Sequence, residues 1–302
     1  MTAIRKFYVI RNSNPDAGMG SLLSSVIGHL KIAEIENRIP VVDWKFYECL
    51  YQEQTPVLKT SNPWEYFFEP VAKYRMHDLS DYDEVFYTNG DHPENITFPW
   101  AQLSVTKEIF RKYIRFNTET SEYIELGINQ LGIKSQTLGV HYRAALGMRI
   151  TPNHPIQPTR SQLCVQIDRE LNTGNYDQIF FATDVEEELN HFKKRYGNLI
   201  VNFQSSRFTQ EESLPPKIPG VRNLHSYLLG LEVLAEAYAL SRCGGLIAGF
   251  SGVSQLGEAL RLPNRSYRTF LIDNGKLSHH KLIAKYQFAI KSKIPAFLGG
   301  FR

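Results

Sequence analysis

The residues best placed to do chemistry are two histidines and two arginines that lie in and after a short aliphatic run. Residues 138–142 read Leu-Gly-Val-His-Tyr, and Arg143, Arg149 and His154 follow in the next segment. Such a run predicts a buried strand, and open α/β sheets bind ligands beyond the carboxyl ends of their strands. A guanidinium stays charged at physiological pH and can donate two parallel hydrogen bonds to a phosphate. The pattern therefore indicates a phosphate site at this strand end.

His141 and Arg143 are expected to lie on the same side of the chain, because alternate residues of a strand share a face. A single histidine is most often a structural residue, but an arginine on that face is costly to bury without an anion. We therefore predict a ligand-binding role for Arg143. Arg149 has two interpretations, ligand binding or simple solvation of a loop arginine.

A second candidate anion site is the turn at Ser251, Gly252 and Val253, between an apolar strand and a helix. Small residues at such a turn let backbone N–H groups approach an anion, and the helix N-terminus adds a partial positive charge. Ser251 could equally be an ordinary N-cap. The local sequence leaves both interpretations open.

Acidic residues accompany these turns. Thr183 and Asp184 stand between another apolar strand and a helix; capping is the expected role of Thr183, whereas Asp184 is open to capping or ligand contact. Glu232 and Glu236 are four residues apart and so share one helix face, for which solvation is the default interpretation.

The chain has 302 residues, of which 42% are hydrophobic and 22% charged, as in a folded protein of two domains. The net charge of +3 gives no overall field that would indicate nucleic acid. Three widely spaced cysteines fit neither a zinc knuckle nor a disulfide framework, which predicts a reducing, cytoplasmic location. The sequence shows neither a membrane-spanning run nor a signal-peptide core.

We expect no metal and no cofactor, because the chain lacks a His-Glu-x-x-His motif and the adjacent His279 and His280 diverge. The tail, residues 276–302, mixes lysines with Phe288, Ile290 and other apolar residues. A solvated basic helix packed by its apolar side is the expected account of this tail. Docking on the inner membrane face or on an anionic acceptor is the alternative.

The chain as a whole reads as an α/β fold. A strand, a loop ending in Gly18-Met19-Gly20, a helix and a further strand open it. That loop lacks the third glycine of a dinucleotide fingerprint, so we interpret it as the wall of an acceptor site. We predict two Rossmann-like domains, residues 1–136 and 137–302, with parallel sheets facing across a cleft. The predicted strands are 6–10, 41–44, 84–87, 138–142, 178–182, 199–203, 245–250 and 269–272, and the predicted helices after the first are 106–116, 119–131, 160–171, 185–195, 224–241 and 253–260.

Several short motifs occur in a suggestive order. They are Gly139-Val140-His141-Tyr142-Arg143, His154-Pro155-Ile156, Phe181-Ala182-Thr183-Asp184, Leu240-Ser241-Arg242-Cys243 and Phe250-Ser251-Gly252-Val253, after an amino-terminal stretch from Gly18 to Trp44. This order resembles the fucosyltransferase superfamily, in particular its nodulation-protein and α-1,6-fucosyltransferase branch, over most of the chain.

The resemblance implies a GT-B fold that holds GDP-fucose in the carboxyl-terminal domain and an oligosaccharide or glycolipid acceptor in the amino-terminal one. It implies inverting, metal-independent transfer of fucose to a glycan hydroxyl, with Arg143 binding the diphosphate and stabilising the leaving group. His141 would contact the nucleotide, Asp184 and Glu236 would lie near the guanosine, and Ser251, Gly252 and Val253 would meet the phosphates.

The general base stays open between Asp16, His154 and no protein base. Where many family members have a second arginine followed by an aspartate or lysine, this chain has Ala144-Ala145-Leu146, with Arg149 as the nearby replacement, and residues 144–167 contain no carboxylate. Two other functions therefore stay in view. One is a transferase of the same fold that uses another nucleotide sugar, such as a GDP-heptose or a related deoxysugar, and the other is a non-catalytic protein that binds a nucleotide sugar or a glycan.

Overall fold

The computed structural model describes residues 4–90, 103–145, 151–208, 222–262, 267–295, 298 and 300–301. They form an α/β protein with two parallel sheets, as predicted. The chain divides into two compact units, which are described separately. Unit 1 comprises Met1–Leu126 and Lys217–Ala235, and unit 2 comprises Gly127–Pro216 and Glu236–Arg302.

The sheet of unit 1 has three parallel strands in the order β2-β1-β3. They are β1 (Lys6–Ile10), β2 (Ile39–Val42) and β3 (Glu84–Tyr87). The prediction that Pro40 precedes the second strand is wrong, because Pro40 lies inside β2 and pairs with Tyr8. The position is tolerated because β2 is an edge strand of the described sheet, where a residue without an N–H group need not complete a second ladder.

The first helix packs one apolar stripe into the core of unit 1. Helix α1 (Met19–Ile35) buries Leu22, Val26, Leu30 and Ala33, which recur at helical spacing. Among the described residues, three more α-helices follow before the second sheet: α2 (Pro63–Phe67), α3 (Leu103–Tyr113) and α4 (Thr118–Leu131).

The sheet of unit 2 has five parallel strands in the order β6-β5-β4-β7-β8. The chain moves outward from β4 through β5 to β6, and then returns to the other side of β4 for β7 and β8. The order therefore reverses between β4 and β7, and ligands of open α/β sheets bind at the carboxyl ends of the strands at such a reversal. The strands are β4 (Thr137–Tyr142), β5 (Gln178–Thr183), β6 (Ile200–Val201), β7 (Gly245–Ala248) and β8 (Arg268–Leu271).

Strand β4 is buried on both faces, which explains its nearly continuous apolar sequence. Leu138, Val140 and Tyr142 belong to one core cluster, together with residues of two helices. On the other face, a Cβ atom added to Gly139 would lie only 3.1 Å from Leu240. The helices from here on are α5 (Arg160–Leu171), α6 (Glu186–Tyr196), α7 (His225–Arg242), α8 (Gly252–Leu260) and α9 (Lys281–Lys291).

Candidate functional site

The candidate site lies where β4 and β7 end side by side in unit 2. His141 pairs in register with Ala248, three residues before Ser251. The Oγ atom of Ser251 lies 3.1 Å from the Nδ1 atom of His141, a contact that joins positions 110 residues apart in sequence. The reversal of strand order thus brings the two predicted anion-binding segments together.

His141 is a neutral side chain in this site. It is 4% exposed, and its burial, with a smaller effect of the Arg143 charge, lowers its pKa to about 3. A neutral imidazole has one donor and one acceptor nitrogen. His141 can therefore bond to Ser251 through Nδ1 and offer Nε2 to a second partner without carrying charge.

Ser251 is the N-cap of α8. Its Oγ atom accepts a hydrogen bond from the Ser254 N–H at 3.2 Å, and its own N–H donates to the Oγ atom of Ser254. The capping interpretation is thus confirmed. It is compatible with anion binding, because the N–H groups of Gly252 and Val253 belong to the first turn, which has no intrahelical partners for them.

Arg143 forms an ion pair with Asp184, with its Nε atom 3.4 Å from Oδ2. The Oδ1 atom of Asp184 accepts hydrogen bonds from the N–H groups of Ala144 at 2.8 Å and Ala145 at 3.3 Å. Asp184 therefore fastens the segment after β4 and caps no helix. The Asp184 carboxylate thus supplies the anion that a partly buried arginine requires. The Arg143 side chain is nevertheless 30% exposed, so a ligand can reach it.

His154 lies within electrostatic reach of the same arginine. Burial lowers the pKa of His154, and the Arg143 charge lowers it further, although a hydrogen bond with the Pro155 carbonyl acts in the opposite direction. The segment is held by an antiparallel pairing: Ile156 N–H donates to Gly275 and Leu277 N–H donates to His154. Arg143 and the two histidines thus form one interacting group.

The other predicted residues are placed differently. Glu236 accepts a hydrogen bond from the Ser205 hydroxyl at 3.0 Å, and Asp16 is exposed in the loop before α1 of unit 1. The prediction that Thr183 caps the next helix is wrong, because its Oγ1 atom accepts from Val185, which is itself the N-cap residue. Arg149 lies outside the described residues.

Gln157 is a site residue that no sequence pattern indicated. It is 2% exposed, and its Nε2 atom donates to the Phe250 carbonyl at 2.7 Å, which holds the turn before α8. The turn is also close to Pro158, since a Cβ atom on Gly249 would lie 2.4 Å from its ring. Gln157 stands between Ile156 and Pro158 in a segment of mixed polarity, where a glutamine has no distinctive pattern.

Arg207 explains why the predicted strand over residues 199–203 is only two residues long. Its guanidinium donates to the carbonyls of Phe203 at 2.8 Å and Ser205 at 3.2 Å, so these two carbonyls are bonded within the loop that follows β6. The N–H group of Phe208 then donates a hydrogen bond to the carbonyl of Asp184, directly after β5.

Unit 1 has a polar and aromatic cluster at the carboxyl ends of its own strands. The guanidinium of Arg11 lies between two rings, 3.7 Å from the Phe46 centroid and 4.3 Å from the Tyr87 centroid, and pairs with Asp43 at 2.9 Å. Phe46 is 57% and Tyr87 is 41% exposed. No sequence motif indicated these four residues.

The described part of the chain provides evidence on metal binding and on membrane spanning. No group of three or more His, Cys, Asp or Glu residues there could hold a metal ion. The chain does contain one Asp-x-Asp triplet, at positions 81–83, but Asp83 is bound by Arg5 at 2.7 and 2.8 Å. None of the described helices is long and apolar enough to cross a bilayer.

Comparison with solved structures gives the fold as that of GT-B fucosyltransferases. The chain is similar to fucosyltransferase NodZ from Bradyrhizobium, with 17% identity, a TM-score of 0.53, and coverage of 85% of this chain and 94% of that one. It is also similar to NodZ α-1,6-fucosyltransferase soaked with GDP-fucose, with 17% identity, a TM-score of 0.54, and coverage of 85% and 93%.

A third similar structure is POFUT1 in complex with GDP, with 12% identity, a TM-score of 0.53, and coverage of 90% of this chain and 99% of that one. No protein-family model and no curated protein matches the sequence. The predicted resemblance and the predicted α/β, GT-B type of fold are thereby confirmed.

Proposed function

We propose that the protein is a glycosyltransferase that moves fucose from GDP-fucose to a hydroxyl of a glycan. The observation that carries the proposal is the contact between His141 and Ser251 at the strand reversal of unit 2. It joins a neutral imidazole to a helix N-terminus, next to Arg143, in a fold shared with a NodZ structure soaked with GDP-fucose. Unit 2 is accordingly the donor-binding part.

The reaction is an inverting displacement that needs no metal. The acceptor oxygen forms a bond to the anomeric carbon while the bond from that carbon to the diphosphate breaks, and the electron pair leaves with GDP. Negative charge grows on the diphosphate, where Arg143 and the N–H groups of Gly252 and Val253 stabilise it. Such preorganised stabilisation is often the largest catalytic contribution.

The acceptor proton goes to a base or follows the leaving group. His154 is the first candidate because its lowered pKa leaves the imidazole unprotonated at pH 7, although it also makes this imidazole a weaker base than a free histidine. Asp16, in the glycine loop of unit 1, is the alternative. Loss of transfer in His154→Gln with retention in Asp16→Asn supports His154, and the reverse pattern supports Asp16.

The acceptor, an oligosaccharide or glycolipid, binds unit 1. The exposed rings of Phe46 and Tyr87 offer flat apolar faces, while Arg11 and Asp43 add fixed polar groups beside them. We keep the predicted assignment, in which residues 1–136 bind the acceptor and residues 137–302 bind the donor. A cytoplasmic location is supported by Cys49, Cys164 and Cys243, which are free thiols.

The test is thermal unfolding with GDP, UDP, ADP and their sugar conjugates, followed by a donor hydrolysis assay. A ligand that binds only the native state raises the melting temperature. We expect GDP and GDP-fucose to stabilise the protein and Arg143→Ala to abolish both this effect and hydrolysis. Arg195→Ala is the matched control. It removes a guanidinium of α6 that forms an exposed ion pair with Asp168 of α5.

Each outcome has a clear meaning. Stabilisation by GDP with hydrolysis of a GDP-heptose or GDP-deoxysugar instead of GDP-fucose would replace the donor and keep the reaction class. A nucleotide response without hydrolysis or transfer would favour a binding protein. Failure of every guanine nucleotide would refute the proposal.

A further inference from the structure

Helix α9 packs one side on unit 2 and leaves the other side open. Ala284 is fully buried and Phe288 packs on the same small core. The opposite side, the outer α9 face, consists of Leu282, Ile283, Tyr286 and Ile290, which are 76, 55, 57 and 56% exposed. Residues at these spacings share one face of a helix. With Ile294 and Leu298, which is 66% exposed, they line an open groove.

The chain segment that contains this face carries charge of a single sign. Residues 274–302 include five lysines and one arginine but no aspartate or glutamate. At 3.6 residues per turn, Lys285 lies on one margin of the outer α9 face, beside Leu282, and Lys291 lies on the other, whereas Lys281 lies nearer the side of Phe288. The Lys291 ammonium is 5.6 Å from the centroid of the Phe301 ring. An exposed apolar stripe with lysines on both margins is the pattern of a helix that lies in a lipid–water interface.

We propose that the outer α9 face docks the protein on an anionic lipid surface. Leu282, Ile283, Tyr286 and Ile290 enter the boundary between headgroups and acyl chains, and the lysine stems extend alongside until their ammonium groups meet lipid phosphates. This function is separate from the proposed transfer reaction and does not depend on it.

A second copy of the chain fits the face less well. Two copies joined through their outer α9 faces would bring the lysine margins of both helices together. Neither helix has an acidic residue to pair with them, so the contact would be repulsive. An anionic bilayer provides apolar depth and negative charge together, and the observations therefore favour it.

The test is flotation of the whole protein, without nucleotide, with two kinds of vesicle. One contains phosphatidylcholine alone, and the other contains phosphatidylcholine mixed with phosphatidylserine. We expect binding to the anionic vesicles that weakens with added salt. Lys281→Gln with Lys285→Gln should weaken it by about five-fold for each lysine. Leu282→Gln with Ile290→Gln should weaken it by at least about ten-fold.

The matched control is Leu126→Gln with Ile35→Gln, which removes a leucine and an isoleucine that are 60% and 76% exposed on other helices. All variants should keep the wild-type melting temperature, because the replaced side chains are exposed. No binding to anionic vesicles, equal loss in the control, or self-association that Leu282→Gln with Ile290→Gln removes would overturn the proposal. The GDP response of the same samples reports on the transfer hypothesis independently.

Discussion

The hydroxyl of Ser251 reaches the Nδ1 atom of His141 at 3.1 Å, and the same hydroxyl accepts the N–H of Ser254 at the start of α8. One oxygen atom thus contacts a residue near the end of β4 and also caps helix α8. It couples the stability of the helix to the geometry of the proposed diphosphate site.

We expect Ser251→Ala to lower the free energy of unfolding by about 1 kcal/mol through the lost cap. It should also weaken GDP binding, because the first turn of α8 loses its link to His141. Thr159→Ala is the control, since Thr159 caps α5 with the same type of capping box. Urea unfolding and GDP titration of both variants test this expectation, and equal GDP affinity in the two would contradict it.

Asp184 competes with an incoming anion for Arg143. Asp184→Asn keeps an oxygen for the N–H groups of Ala144 and Ala145 but removes the charge of the ion pair. We expect tighter binding of inorganic pyrophosphate, by a few-fold, because the arginine no longer has an internal counter-ion. Isothermal titration measures this change, with Arg143→Ala as the non-binding control. Weaker pyrophosphate binding in Asp184→Asn would show that the carboxylate supports the site instead.

The lowered pKa of His141 predicts a pH dependence of stability. Its pKa rises from about 3 in the folded protein to its ordinary value of 6.5 on unfolding, so the unfolded chain binds more protons between these values. Stability from this group is therefore complete above pH 6.5 and is lost as the pH falls, by up to about 1.4 kcal/mol per unit.

Urea unfolding at pH 7 and pH 5 checks this sign. The wild type should lose about 2 kcal/mol more than His141→Gln over that interval, because the variant lacks the titrating group. His154 is present in both proteins, so its contribution cancels in the difference. Parallel pH profiles for the two proteins would mean that the imidazole of His141 is accessible to protons.

An alanine should destabilise the protein at Gly249 but should have little effect on stability at Gly18. Gly249→Ala brings a methyl group within 2.4 Å of Pro158, so we expect a loss of about 1–3 kcal/mol and disturbance of the adjacent turn. Gly18 has a φ of −69° and open space around its Cα, so Gly18→Ala should change stability by less than about 0.5 kcal/mol. Thermal unfolding of both variants measures the difference in stability. A large loss of stability in Gly18→Ala would contradict the prediction and would show that the first glycine loop needs a glycine at this position.

Local patterns predicted most of the elements. The bounds of β1, β3 and α5 agree with the predicted residues, because apolar periodicity and capping chemistry act over a few neighbouring positions. The errors have tertiary causes. Pro40 is tolerated in β2 because that strand is an edge, and β6 is short where Arg207 binds carbonyls of the following loop.

The alternation of strands and helices and the residue types at each strand end follow from local chain geometry, so the sequence alone predicts them. Three relationships arise only when the chain is folded: His141 meets Ser251, Asp184 pairs with Arg143, and α9 turns four apolar side chains outward. Strand order and the choice of which helix face is covered depend on contacts between residues far apart in the chain, and no local pattern contains them.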